Sequence, residues 1–258
     1  MMTGTARPRL FDSHAHLLDE RLKSADPLKG IDAVLCVFQP SEDLNLFRNF
    51  LENEKVYGAC GIHPHDAKHA SSLTGVLKEA LDHPKVAALG EIGLDYHWDN
   101  SPRPVQREVF CQQLGMAGSL GLPVIIHSRS AFKETLEILD RHKPEKALIH
   151  CFSEGPGEAE EALRRGFYIS IGGIVTFPNA SALRESVRLV PSDRLLVETD
   201  APYLAPRPLR GRTNMPAYVE HTLREVARIK DVSFETMAEA AFRNAAEFFN
   251  IEKWRNLK

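Results

Sequence analysis

The strongest constraint on the fold is a beat that repeats along the chain. A short apolar run is followed by a longer amphipathic stretch, and the pair recurs. The short runs are "RLFDSHAH" (9–16), "AVLCVF" (33–38), "VYGACGIHP" (56–64), "VAALGEIGLD" (86–95), "PVIIHS" (123–128), "KALIHCF" (146–152), "FYISIGG" (167–173) and "RLLVETD" (194–200). Bounded runs of this composition read as strands. Their hydrophobicity is nearly continuous, the pattern of strands covered on both faces. Helices are expected at 41–54, 71–82, 103–120, 130–141, 157–165 and 180–189, the first with Ser41 as its candidate N-cap. The tail adds "PAYVEHTLREVARIK" and "SFETMAEAAFRNAAEFFN", both helical in pattern. Strands alternating with helices imply a parallel sheet. Eight such units in 258 residues match an α/β fold, a single (β/α)8 TIM barrel domain over 1–258.

Polar residues interrupt this pattern at one kind of place. His14 and His16 sit one residue apart in the first run, and residues i and i+2 of a strand point to one face. Glu91 follows "VAALG", His127 follows "PVII", His150 follows "ALI", His63 closes "ACGI" and Asp200 closes "RLLVETD". In a barrel the C-terminal strand ends form one mouth, where active sites are built. Residues far apart in sequence therefore converge. Burying four imidazoles and two carboxylates there without a cation leaves polar groups poorly paired. Imidazole suits zinc, iron, nickel or manganese, and carboxylate suits magnesium or manganese. A glutamate can bridge two ions, so a two-metal site is feasible, with Glu91 alternatively a base beyond the ligands. Asp12 is expected to orient one of the first-strand histidines. Glu198, two residues before Asp200, is expected to reach the mouth, and His63 is favoured over His65 as a substrate contact.

Composition bounds the rest. Hydrophobic residues make up 43% and charged residues 26%, enough for a sizeable core. The formal net charge of -3 excludes nucleic-acid binding by bulk charge, so any such contact needs a local basic patch or a metal. Cys36, Cys60, Cys111 and Cys151 form no CxxC pair and read as free thiols of a reducing compartment. The opening "MMTGTARPRL" has no apolar core, and no apolar run reaches the ~18 residues of a membrane span. A soluble cytoplasmic protein, monomeric by default, is expected.

The blocks "DSHAHL", "GIHPH", "GEIGLDY", "IIHSR", "IHCFS", "GFYISIGGIVTF" and "LLVETDAPYLAP…RG" run in order over nearly the whole chain. Together they resemble the TatD family of metal-dependent deoxyribonucleases, within the amidohydrolase superfamily. The resemblance implies two divalent ions per chain, magnesium, manganese, zinc or similar. One would be held by His14, His16 and Asp200, the other by His127 and His150, with Glu91 bridging. The stretch "APRPLRGRTNMP" departs in part: Arg210 and Gly211 match, but Leu209 stands where a polar residue is common.

The expected chemistry is phosphodiester hydrolysis, because a divalent cation lowers the pKa of water towards neutrality and stabilises phosphate charge. Asp200 and Glu91 are the catalytic carboxylates, Asp200 as proton acceptor. Arg129, Arg210 and Arg212 are candidate phosphate contacts, and Tyr96 and Tyr203 candidate base-stacking rings. The negative net charge and the family both favour exonuclease-like action on single-stranded or frayed DNA ends; the expected activity is that of a 3′ to 5′ deoxyribonuclease. A second class keeps the barrel and metals but cleaves an ester or amide, such as aminoacyl-tRNA or a small molecule. A third is a non-catalytic barrel, which has no use for a full ligand set.

Overall fold

The computed structural model describes residues 7–23 and 25–252; residues 1–6, most of the opening segment read above, lie outside them. Eight strands are present in the expected order: β1 (Phe11–Ala15), β2 (Ala33–Phe38), β3 (Val56–Cys60), β4 (Val86–Asp95), β5 (Val124–Arg129), β6 (Ala147–Ile149), β7 (Tyr168–Ile171) and β8 (Leu195–Val197). Each pairs in parallel with the next. The seam between β8 and β1 is joined by a parallel bridge from Ala15 to Ala201. There the His16 N–H donates to the Ala201 carbonyl at 2.8 Å, and the Asp200 N–H to the His14 carbonyl at 3.0 Å. The sheet is a nearly closed (β/α)8 barrel.

The helices are α1 (Leu44–Leu51), α2 (Ala70–Leu81), α3 (Arg103–Leu120), α4 (Phe132–His142), α5 (Pro156–Arg164), α6 (Ser181–Leu189), α7 (Val219–Lys230) and α8 (Phe234–Phe248). One difference from the sequence expectation has a local cause. The N-cap of α1 is Asp43, whose carboxylate accepts from the Asn45 and Leu46 N–H groups; Ser41 instead donates its hydroxyl to Asp66. The β1–β2 connection, where the sequence marks no helix, carries a 3-10 turn at Glu20–Leu22 and no α-helix among the described residues.

Alternate residues of β2 show how the core divides. Ala33, Leu35 and Val37 join a buried cluster to which all eight strands contribute, the barrel interior. Val34, Cys36 and Phe38 pack outward, against α1 and α2. The interior cluster also holds Phe242, Ala245 and Phe248 of α8. Asn244 of that helix donates to the carbonyls of Ser192 and Leu195 at the start of β8. The C-terminal helix therefore plugs the end of the barrel where strands begin, leaving the opposite mouth free. Burying a phenylalanine contributes about 1.5–3 kcal/mol. All four cysteines are free, with Cys36 and Cys60 buried. Among the described residues no helix is long and apolar enough to cross a membrane.

Candidate metal centre

The strands that carry the site end early. β6 stops at Ile149 and β8 at Val197, because the chain then enters left-handed backbone at Cys151 (φ 44°) and Asp200 (φ 56°). These turns place His150 and Asp200 just beyond the strand ends. β4 behaves differently and runs through to Asp95. Its glycines let it press against β5: a Cβ on Gly93 (φ 143°) would lie 2.0 Å from the His127 carbonyl oxygen, and one on Gly90 2.6 Å from Ile125. Only glycine fits there, so the "GEIGLD" block sets Glu91 against His127.

Glu91 is the hub. On its Oε2 side lie the Nε2 atoms of His14 (3.4 Å) and His16 (3.9 Å). On its Oε1 side lie His127 Nδ1 (2.6 Å), His150 Nε2 (2.9 Å) and His63 Nε2 (3.5 Å). Asp200 Oδ1 is 3.4 Å from His16 Nε2 and 3.9 Å from His14 Nε2. Among the described residues three donor sets each have their ligand atoms within 4.8 Å of one another: His14, His16 and Asp200; His14, Glu91 and His150; His63, Glu91 and His127. The first matches the expected set. His127 and His150 both reach Glu91 but fall in different sets, and His63 stands among the donors.

Carboxylates behind the rings decide which nitrogen faces the centre. Glu198 Oε1 lies 3.0 Å from His150 Nδ1 and so turns Nε2 inward. Asp95 Oδ2 lies 3.1 Å from His127 Nε2 and so turns Nδ1 inward. Such partners fix tautomer and ring orientation in metal sites. Asp95 Oδ2 is also 3.0 Å from His65 Nε2. Burial opposes the charge of Glu91, yet the surrounding imidazoles, His150 first, hold its carboxyl well below the usual range. Burial likewise opposes charge on Asp200, but the hydrogen bond from His16 keeps its carboxyl low. Burial and the neighbouring His150 push His14 down, and burial pushes His63 to about 4, so both imidazoles are neutral near pH 7.

The donor set fits divalent cations. His14 is fully buried, and neither of its ring nitrogens has a hydrogen-bond partner. An orphaned buried imidazole is costly, and a cation between it and the two carboxylates removes that cost. Mixed imidazole and carboxylate donors suit zinc, manganese, iron or nickel.

The site opens into a cavity of about 660 Å³ lined by His16, Glu91, Asp200, Arg129, Trp98 and Tyr203, among others. Residues 11–250 match the family described as TatD related DNase. The chain belongs to this family. Like its relatives by name, it is a metal-dependent hydrolase of the TatD type. The uncharacterized metal-dependent hydrolase YabD of Bacillus subtilis (strain 168) is 39% identical over 253 residues, spanning 94% of this chain and 99% of that protein. The uncharacterized metal-dependent hydrolase YcfH of Escherichia coli (strain K12) is 41% identical over 206 residues, spanning 79% and 77%. The crystal structure of YjjV, a TatD homolog from Escherichia coli K12, superposes with a TM-score of 0.85 at 27% identity, over 94% of this chain and 98% of that one.

The remaining expected residues divide. Arg129 and Tyr203 line the cavity. Arg210 and Arg212 do not; the Arg210 guanidinium stacks 4.1 Å from the Phe177 ring centre. Tyr96 donates its hydroxyl to Glu134. Asp12 orients no imidazole: it is fully buried and accepts from the backbone N–H groups of His14 (3.3 Å) and Thr199 (2.8 Å) and from the Thr199 hydroxyl. It ties β1 to the exit of β8 instead. Sequence reasoning missed Asp95 and Trp98. Asp95 had a signal, since it lies four residues after Glu91 in one strand and so shares its face.

Proposed function

We propose that the chain is a divalent-metal-dependent deoxyribonuclease that shortens single-stranded or frayed DNA ends, 3′ to 5′. The observation that carries this reading is Glu91, a buried carboxylate with imidazoles at both oxygens, on the floor of an open cavity that also holds Arg129. One cation would be held by His14, His16 and Asp200, a second by His127 and His150, with Glu91 shared. When bound, the cations supply Lewis acidity and lower the pKa of water towards neutrality.

The chain's own groups do the rest. Asp200 Oδ1, kept ionised beside His16 Nε2, accepts a proton from the attacking water. Glu198 and Asp95 keep His150 and His127 turned inward, so no ligand reorients during turnover. Arg129 grips a phosphate of the strand end as a charged fork. His63, at 7% exposure in the cavity wall, contacts the phosphate undergoing attack. A cavity of about 660 Å³ is within the ~300–1,000 Å³ range of ligand clefts and suits an end rather than a duplex face.

A second reading rests on one observation. Among the described residues Arg129 is the one lysine or arginine lining the cavity. A mouth with so little positive charge also suits an ester or amide substrate on the same metals. Purified protein is incubated with end-labelled single-stranded DNA and, separately, with an aminoacyl-tRNA and simple aryl esters, with and without Mg²⁺ or Mn²⁺. Metal-dependent stepwise shortening of DNA that vanishes in Asp200→Asn supports the nuclease. Intact DNA with ester turnover, in folded and metallated protein, transfers the assignment to the second reading.

A further inference from the structure

Trp98 stands in the loop that follows β4. It is 57% exposed, the most exposed of the large hydrophobic side chains described, and it lies on the rim of a cavity whose floor is charged. Lone exposed apolar residues are common on protein surfaces. Trp98 differs in being held in place. The His97 and Trp98 N–H groups donate to Asp95 Oδ1 at 2.9 and 3.0 Å, so the loop is fixed at its root by the carboxylate whose other oxygen holds His127. On the far side Arg103 clamps Asp99 through two hydrogen bonds of 2.9 and 2.8 Å and reaches the Tyr96 carbonyl at 3.4 Å. The His97 ring meets the indole edge-on at 4.8 Å.

Beside the indole, the Arg129 guanidinium carbon lies 5.5 Å from its ring centre. Arg129 pairs with Asp95 across β4 and β5, so the sheet fixes ring and cation together. Among the described residues no carboxylate forms an ion pair with Arg129, and its side chain lines the cavity beside the indole. An exposed, preorganised aromatic face beside an unpaired cation has the two elements that single-stranded nucleic acid needs: a surface for a base and a charge for the backbone.

We propose that Trp98 is a stacking platform for a base of the single-stranded substrate, with Arg129 taking an adjoining phosphate. This rests on the nuclease reading and adds to it a binding subsite beyond the metal ligands. Every base has a π-face, so the platform recognises a base without choosing among the four. Its location fixes the base at the cavity rim while the phosphodiester lies over Glu91. The indole is mostly in water, so its loss leaves the core untouched.

The test uses holoenzyme and a hydrolysis-resistant phosphorothioate oligothymidylate, with a second oligonucleotide of equal length that carries an abasic terminal position. Binding is followed by fluorescence anisotropy of a label on the distal end. Metal content and melting temperature of each variant check that the fold and the centre are intact. Stacking on an aromatic typically contributes enough that Trp98→Ala is expected to weaken binding roughly 5- to 140-fold. Trp98→Phe should fall between, and the wild-type advantage should disappear on the abasic oligonucleotide. Equal affinity of wild type and Trp98→Ala, or a loss that is the same with and without the base, overturns the platform and leaves the nuclease reading standing. An oligonucleotide that fails to bind the metallated wild type overturns the nuclease reading and the platform with it.

Discussion

Replacing Asp95 by asparagine changes one atom and probes the metal centre without touching a proposed ligand. Asp95 uses both oxygens: Oδ1 accepts from the His97 and Trp98 N–H groups, and Oδ2 faces His127 Nε2 and His65 Nε2. An amide cannot serve both sides. With its NH2 towards the loop, it opposes two N–H donors at 2.9 and 3.0 Å. With its NH2 towards His127, it requires Nε2 to accept, which moves the ring proton to Nδ1. That proton then points at Glu91 Oε1, 2.6 Å away, and the lone pair a cation needs is gone. The loss is at least one hydrogen bond to a charged group, about 1.5–3 kcal/mol. That corresponds to roughly 10- to 140-fold in cation affinity, in line with the ~10–100-fold typical of groups behind metal ligands. Chelator competition on the purified variant measures the affinity, and a thermal melt checks the fold. Wild-type affinity for both cations in a folded Asp95→Asn protein would refute the claim that Asp95 sets the His127 tautomer.

Two further perturbations follow from the same geometry. Asp12→Ala orphans three buried donors at the barrel seam, the His14 and Thr199 N–H groups and the Thr199 hydroxyl. At about 1–3 kcal/mol per unsatisfied group, urea unfolding should show a loss of at least about 3 kcal/mol; a loss under about 1 kcal/mol would mean that the seam does not depend on this carboxylate. Stripping the metal with a chelator should lower the melting temperature reversibly, because ligand at 100 times its Kd stabilises by about 2.7 kcal/mol and the bare centre leaves His14 orphaned. An unchanged melt after verified metal loss contradicts the fit between centre and cation.

The fold was legible because the eight apolar runs are regular and their strand ends carry the odd polar residues. β2 and β4 fall at the expected boundaries, 33–38 and 86–95, since β2 is apolar throughout and β4 is apolar or glycine except at Glu91 and its terminal Asp95. β6 and β8 came out shorter than 146–152 and 194–200 because left-handed turns at Cys151 and Asp200 end them, and an apolar count does not register a turn. The N-cap of α1 was placed two residues early because Ser41 and Asp43 are both good caps; Ser41 is drawn away to Asp66 by a contact 25 residues distant. At the site, the six residues proposed as ligands were visible as polar residues in or just past strand ends; His14, His16, His127 and His150 converge on Glu91, and Asp200 faces His14 and His16. The partners behind them were less visible. Asp12 looked like a histidine orienter because it is close in sequence, but the short path in space leads to Thr199, 187 residues away. Asp95 could have been read from its spacing after Glu91, whereas Trp98 lies in the loop past β4, whose position is set by the hydrogen bonds to Asp95 and which no strand pattern registers.

The most direct test of the shared carboxylate counts metal and activity together. Wild type and Glu91→Gln are loaded with Mn²⁺ and dialysed. Bound metal is then measured by mass spectrometry alongside shortening of end-labelled single-stranded DNA. With Glu91 as the shared ligand, wild type holds two ions per chain and shortens the DNA, while folded Glu91→Gln holds one or none and leaves it intact. Two tightly held ions and full activity in the variant would contradict it.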